Sequence, residues 1–253
     1  MPIPSIRTPA VESGIPALSG NALLDGLPSN ELDPILSAAE RVRPRMRQVL
    51  IEQSSEMPYA YFPLNGVFSL LAEMSDRTIV ETLVVGREGM VGLPAIFGAS
   101  NSPTRVICQI SGWTLRIPTT VLLDMTPRDG VLFDRLLRYA QVRMTALSRS
   151  VACNGLHSAQ QRYARWVLTT QDRVSMDEFP ITQDFLAQML GVTRPTISLV
   201  GQDLQALGLI HYAQGRLTVD DRSGLERIAC ECYGAIREAF EKLPGVSWGK
   251  QQA

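Results

Sequence analysis

Arg194, Thr196, Ser198, Leu199 and Gln202 lie off the apolar line of Ile197, Val200 and Leu204, whose steps of three and four mark the buried side of a helix. An exposed face that starts with arginine and carries small hydroxyls has chemistry for a DNA major groove. Guanidinium pairs with O6 and N7 of guanine, and hydroxyls reach phosphates or base edges. Two starts suit this helix: Thr193 as N-cap, or Arg194 as cap with Pro195 at the first helical position, where its missing N–H costs nothing. Just upstream, Thr182 can cap a shorter helix with Gln183 and Asp184 in its first turn. Phe185, Leu186, Ala187, Met189 and Leu190 would be its buried side. Gly191 stands where a left-handed residue must end it, and Val192 is the apolar plug of the turn. Two amphipathic helices joined in this way are a helix-turn-helix, which points to double-stranded DNA.

An ordinary αα corner shares that spacing, so the next residues matter. After Leu207-Gly208-Leu209-Ile210, the β-prone runs His211-Tyr212-Ala213 and Arg216-Leu217-Thr218-Val219 flank Gln214-Gly215 and predict a hairpin. A hairpin behind a recognition helix is a wing, with Arg216 placed to touch the DNA backbone.

Other reactive residues are few. The cysteines are Cys108, Cys153, Cys230 and Cys232, and the histidines are His157 and His211. Cys108 and Cys153 are expected to be buried small hydrophobes. Cys230 and Cys232, two apart on one predicted helix, would diverge and make a poor metal pair, although exposed thiols can be redox-active. Haem and zinc therefore lack candidate ligands, and no cofactor is expected. An enzyme on a cupin-like roll would need a histidine and carboxylate metal set, and no histidine precedes His157. Catalysis is not expected.

These residues need elements to position them. Residues 45–118 offer short β-branched runs separated by turns: 49–51, 59–62, 66–71, 78–85, 105–110 and 113–117, the content of a sandwich or roll. Helix is predicted over parts of 21–43 and over 131–174 with a break near Asn154-Gly155. A further single amphipathic helix is predicted from Asp220 to about Leu243, packed on the winged segment. In the long helix, Leu132, Leu136, Ala140, Met144, Leu147 and Val151 form an apolar stripe, one part packing on the roll and the other meeting a twin helix. A chain of 253 residues with 45% hydrophobic residues accommodates two domains. A formal net charge of −1 is low for a DNA binder, though a dimer doubles its arginines and helix N-termini add phosphate contacts. Neither a membrane span nor a secretion signal is indicated, and a cytoplasmic location is expected.

The Leu190-Gly191-Val192-Thr193-Arg194 turn, Thr196-Ile197-Ser198 and Leu207-Gly208-Leu209-Ile210 resemble the winged helix-turn-helix of the Crp/Fnr family of bacterial transcription regulators. Residues 61–68 and 86–92 are similar to parts of that family's cyclic-nucleotide-binding roll. The resemblance implies an α+β chain: a flexible extension over 1–20, a jelly-roll-like β-roll sensor domain over 21–129, a dimerisation helix over 130–154, a winged helix-turn-helix over 155–243 and a flexible tail over 244–253. It implies a homodimeric transcription regulator with double-stranded DNA, RNA polymerase and a small-molecule effector as partners. Gly92, Leu93 and Arg105 fall nearest the family's effector pocket. Members that bind a cyclic nucleotide have Glu after the matching Gly, where this chain has Leu93, and leucine cannot accept from a ribose hydroxyl. Val106 likewise replaces the small residue expected after the phosphate-binding arginine. No cysteine cluster lies near the N-terminus, so the resemblance does not extend to an iron–sulfur sensor. Pro195 and Leu199 replace an acidic and a basic residue of familiar members, which implies a different operator. The competing reading is a ligand- or redox-responsive protein-interaction module that does not bind DNA.

Overall fold

The fold begins with α1 (Ser29–Ala38), which turns directly into β1 (Glu40–Val42). A computed structural model describes residues 19–174 and 176–243. The tail expected over 244–253 lies outside the described residues, as does the extension over 1–20 apart from Ser19 and Gly20. The predicted β-prone runs become β2 (Val49–Ile51), β3 (Tyr59–Pro63), β4 (Val67–Glu73) and β5 (Ile79–Val85). After a short α2 (Leu93–Ile96) come β6 (Arg105–Ile110), β7 (Thr114–Pro118) and α3 (Thr119–Asp124). Two antiparallel sheets result, β1-β7-β3 and β2-β6-β4-β5.

The second sheet is covered on both faces, because β4 and β6 do not alternate. Val67-Phe68-Ser69-Leu70-Leu71 and Val106-Ile107-Cys108-Gln109-Ile110 are buried at every residue. Strands buried on both sides read as continuous apolar runs. Phe68, Leu70, Val106 and Cys108 face the roll interior with Phe62, Met90 and Ile117. Val67, Leu71, Ile107 and Ile110 face outward and join the core of the C-terminal half.

The long helical stretch divides into α4 (Val131–Leu156) and α5 (Ala159–Val174), so the break comes just after the expected Asn154-Gly155. Gly155 stays helical, and the cause of the break is Ser158. Gln161 N–H donates to Ser158 Oγ at 3.2 Å while Ser158 N–H donates to Gln161 Oε1 at 3.0 Å, a reciprocal capping box. The first half of α4 buries Leu132, Leu136 and Tyr139 in the roll core, whereas Leu137, Met144, Leu147 and Val151 are exposed.

Then follow β8 (Glu178–Pro180), α6 (Gln183–Leu190), α7 (Arg194–Ala206), β9 (Ile210–Ala213) and β10 (Arg216–Val219). The hairpin forms as expected, and β8 adds a third strand in the order β8-β10-β9. The last segment corrects the sequence reading. In place of one helix there are α8 (Arg222–Ile228) and α9 (Cys232–Glu241), because Ala229 adopts an extended ψ of 148°. Instead of packing wholly on the winged segment, α9 lies along α4 and inserts Ile236 and Phe240 into the roll core, joined by Leu243 just past its end.

Candidate nucleic-acid interface

Thr182 caps α6 by accepting the Phe185 N–H at 3.2 Å. Gly191 ends the helix at φ 61°, a conformation in which a side chain would be strained. Of the two starts available to α7, the structure takes Thr193 as N-cap. Its Oγ1 accepts from Thr196 N–H at 3.4 Å and meets the Thr196 hydroxyl at 2.9 Å. Arg194 and Pro195 therefore occupy the first turn, where proline lacks only an N–H that has no intrahelical partner. A residue before proline is disfavoured in helical conformation, and the cap outweighs that preference here.

Ile197, Gly201 and Leu204 bury one side of α7. Thr193, Arg194, Pro195, Leu199 and Gln202 are exposed, while Thr182, Gln183, Thr196 and Ser198 are half-buried at the junction of the two helices. Ser198 Oγ donates to Gln183 Oε1 at 2.8 Å and locks α7 across α6. The outer face so built presents Arg194, paired loosely with Asp184 at 3.4 Å, together with the N-terminal N–H groups of α7. Arg216 opens β10 beside the Gln214-Gly215 turn, at the tip of the wing and not at its base, and is ion-paired with Glu178 of β8. Any phosphate it contacts must compete with that carboxylate.

The inner face of the same domain sits on the roll. Arg47 donates to Thr182 Oγ1 at 3.1 Å. Glu88 meets Arg173 of α5 at 2.8 Å with both side chains buried, and Trp166 Nε1–H donates to Glu81 Oε1 at 2.9 Å. Burial pushes the Glu81 carboxyl up to about 7 against the opposing pull of its hydrogen bonds and of Arg165 and Arg173. Ser69 donates to Gln109, and Gln109 to Thr170, across the same seam. These residues escaped the sequence reading. The legible signal was Gly86-Arg87-Glu88-Gly89, a turn whose Gly89 admits no side chain: a Cβ there would stand 2.0 Å from Tyr139 Oη.

The three candidate effector residues do not form a common polar site. Gly92 caps α2 at φ 94°, Leu93 is buried in the roll core, and Arg105 is paired with Glu52 at 2.8 Å and Glu73 at 3.4 Å. Both carboxylates stabilise the charged guanidinium and raise its pKa, the Glu52 hydrogen bond most.

The cysteine reading also needs correction. Cys230 and Cys232 do not share a helix, since Cys230 precedes the turn that opens α9. Their thiols converge with Cys153 and His157 from the end of α4, so a zinc-type donor set does exist. Cys153 is buried as expected, but beside other thiols and not among hydrocarbon alone.

Residues 161–228 match the family model described as a Crp-like helix-turn-helix domain. No curated protein matches the sequence. Among solved structures, FixK2 from Bradyrhizobium japonicum is similar at 14% identity and TM-score 0.64, over 76% of this chain and 98% of that one. The c-di-GMP-responsive regulator CLP of Xanthomonas campestris is similar at 16% identity and TM-score 0.61, over 76% and 99%. A CRP/FNR-family transcriptional regulator from Thermus thermophilus is similar at 21% identity and TM-score 0.61, over 75% and 98%.

Proposed function

With a Crp-like helix-turn-helix domain at residues 161–228 on the fold of Crp/Fnr regulators, we propose that this chain is a sequence-specific transcription regulator that reads a two-fold operator as a homodimer. The observation that carries the reading is the exposed face of α7, with Arg194, Leu199 and Gln202 outward on a helix locked by Ile197 and Leu204. In the bound complex Arg194 leaves Asp184 and pairs with guanine, Leu199 packs on a thymine methyl, and Thr182, Gln183, Thr193, Pro195, Thr196, Ser198 and Arg216 line the flanking backbone.

The dimer reading is supported by Leu137, Ala140, Met144, Leu147 and Val151. They recur at alternating steps of three and four along the outer side of α4, and all but the half-buried Ala140 are exposed. That is a coiled-coil seam, and twin α4 helices would set two copies of α7 about one DNA turn apart. We assign domain limits at residues 21–129, 130–154 and 155–243, with α9 bracing the junction. The reading that the roll takes no cyclic nucleotide is supported by Leu93, which offers no acceptor, and by Arg105, already held by two carboxylates. On this reading the roll either responds to an effector of another kind or is degenerate, and RNA polymerase is the proposed partner of the DNA-bound form. No helix among the described residues is long and apolar enough to cross a membrane; a cytoplasmic site of action and the absence of catalysis follow from the regulator reading.

The test is selection of bound sequences from a random duplex pool, repeated with cyclic AMP. An enriched palindrome, unchanged by the nucleotide, is the expected outcome. A Met144→Glu chain should sediment as monomer and lose the palindrome. No enrichment in any condition would overturn the reading in favour of a protein-interaction module.

A further inference from the structure

The last turn of α4 and the junction between α8 and α9 bring three thiols and an imidazole around one point. Cys153 Sγ lies 3.4 Å from Cys230 Sγ, and Cys232 Sγ lies 3.8 Å from His157 Nδ1. All four donor atoms fall within 4.8 Å of one another. Zinc bonds of about 2.3 Å to sulfur and about 2.0 Å to nitrogen place tetrahedral ligand atoms roughly 3.5–3.8 Å apart. The observed set approaches that figure before any ion is considered. An iron–sulfur cluster of two irons would need its ligand pairs spread across two metal centres, wider than this group stands.

The surroundings agree. All three thiols are buried. His157 turns Nε2 toward the Glu231 carboxylate at 3.2 Å, so that the tautomer with its proton on Nε2 would present the Nδ1 lone pair to the thiols. A carboxylate behind a histidine is the usual outer partner of a zinc ligand. Cys153 Sγ and Cys230 Sγ share a thiol–thiol hydrogen bond in which either can donate. Soft thiolates with one imidazole select zinc over the oxygen-seeking cations.

We propose that Cys153, His157, Cys230 and Cys232 bind one zinc ion that clamps the end of α4 to the α8–α9 junction across the bend at Ser158. Binding is ligand exchange without redox change: each neutral thiol gives its proton to buffer as its S–Zn bond forms, and the ion loses water. Since α4 ends and α5 begins at that bend, the clamp would hold the angle between the dimer helix and the winged domain. That consequence rests on the function proposed above; the site does not.

The experiment uses the full chain, purified under reducing conditions without chelator. Elemental analysis should find one zinc per chain, and cobalt exchanged into the site should show thiolate charge-transfer and tetrahedral ligand-field absorption. Cys232→Ser should lose the ion. Glu231→Gln, on a largely exposed side chain, should stay folded and weaken zinc binding about 10–100-fold in competition with a chromogenic chelator. A folded chain that takes up no zinc, an octahedral cobalt spectrum, or a Cys153–Cys230 disulfide that forms in the zinc-incubated chain would overturn the site. Zinc retention without duplex binding would sustain the site and overturn the regulatory function.

Discussion

On the outer face of the winged domain Arg194 stands 3.4 Å from Asp184 with both side chains about two-thirds exposed, whereas on the inner face Arg173 and Glu88 meet at 2.8 Å almost wholly out of water. The same two kinds of charge do different work. An exposed pair contributes about 0–1 kcal/mol and is screened by salt, so exchanging Asp184 for guanine costs little. Breaking a buried pair leaves a charge in a dry seam, which makes the roll contact either intact or open with little between. The outer pair can therefore be exchanged for another partner at little cost, whereas the inner pair fixes the winged domain on the roll.

The contrast is broken most forcefully by Glu88→Ala, which strips the carboxylate from the Arg173 charge. A stability loss of about 3–5 kcal/mol in urea unfolding is expected. A loss under about 1 kcal/mol would mean that the seam is wet and the two faces are alike. Next comes Glu81. Its carboxyl has an ordinary value of 4.5 and titrates near 7 in the fold, so between those pH values the folded chain holds more protons than the unfolded one. Stability from this group is full below about pH 4.5 and falls as pH rises to about 7, by up to about 3 kcal/mol. Glu81→Gln should flatten that part of the pH profile, and an unchanged profile would remove Glu81 from the seam's electrostatics.

On the outer face the effects are smaller and fall on binding. Arg194→Ala should cost about 1–3 kcal/mol of specific affinity, read by titration of the selected duplex. Its unfolding free energy should stay within about 0.5 kcal/mol, because the side chain is exposed. A variant that keeps full affinity and preference would remove Arg194 from the interface. Smallest is Thr193→Ala, expected to lower stability by about 1 kcal/mol through loss of the cap. If Arg194→Ala destabilised the chain more than Thr193→Ala, the first turn of α7 would be held by the arginine and not by the cap.

Much of the outer face was legible because its determinants are neighbours in the chain. Thr182, Gly191 and Thr193 act on residues no more than a few positions away, and Gln214-Gly215 turns the hairpin by its own positive φ angles. The choice between Thr193 and Arg194 as cap was open in the sequence, since both obey local rules. The inner face was harder to read. Glu88 and Arg173 are 85 positions apart, and nothing in the identity of either names the other. Yet one trace was present: β4 and β6 carry apolar residues at both odd and even positions and do not alternate, which already required cover on both faces of that sheet. The break at Ser158 also had a local signature, Ser158 followed three residues later by Gln161, overshadowed by the glycine before it.

The misplaced elements share one cause. A helical period drawn through Asp220 to Leu243 put Cys230 and Cys232 on one rod and sent their thiols apart. The extended Ala229 bends the chain there and brings both to Cys153 and His157. Sequence by itself determined the helix-turn-helix, the Thr182 cap, the hairpin and most strands of the roll, because hydrogen bonds and hydrophobic period operate over a few residues. Tertiary structure alone decided which carboxylate faces which arginine, where α9 packs and that four distant donors meet. Those outcomes follow from how separate elements close on one another, and long-range packing has no period to read.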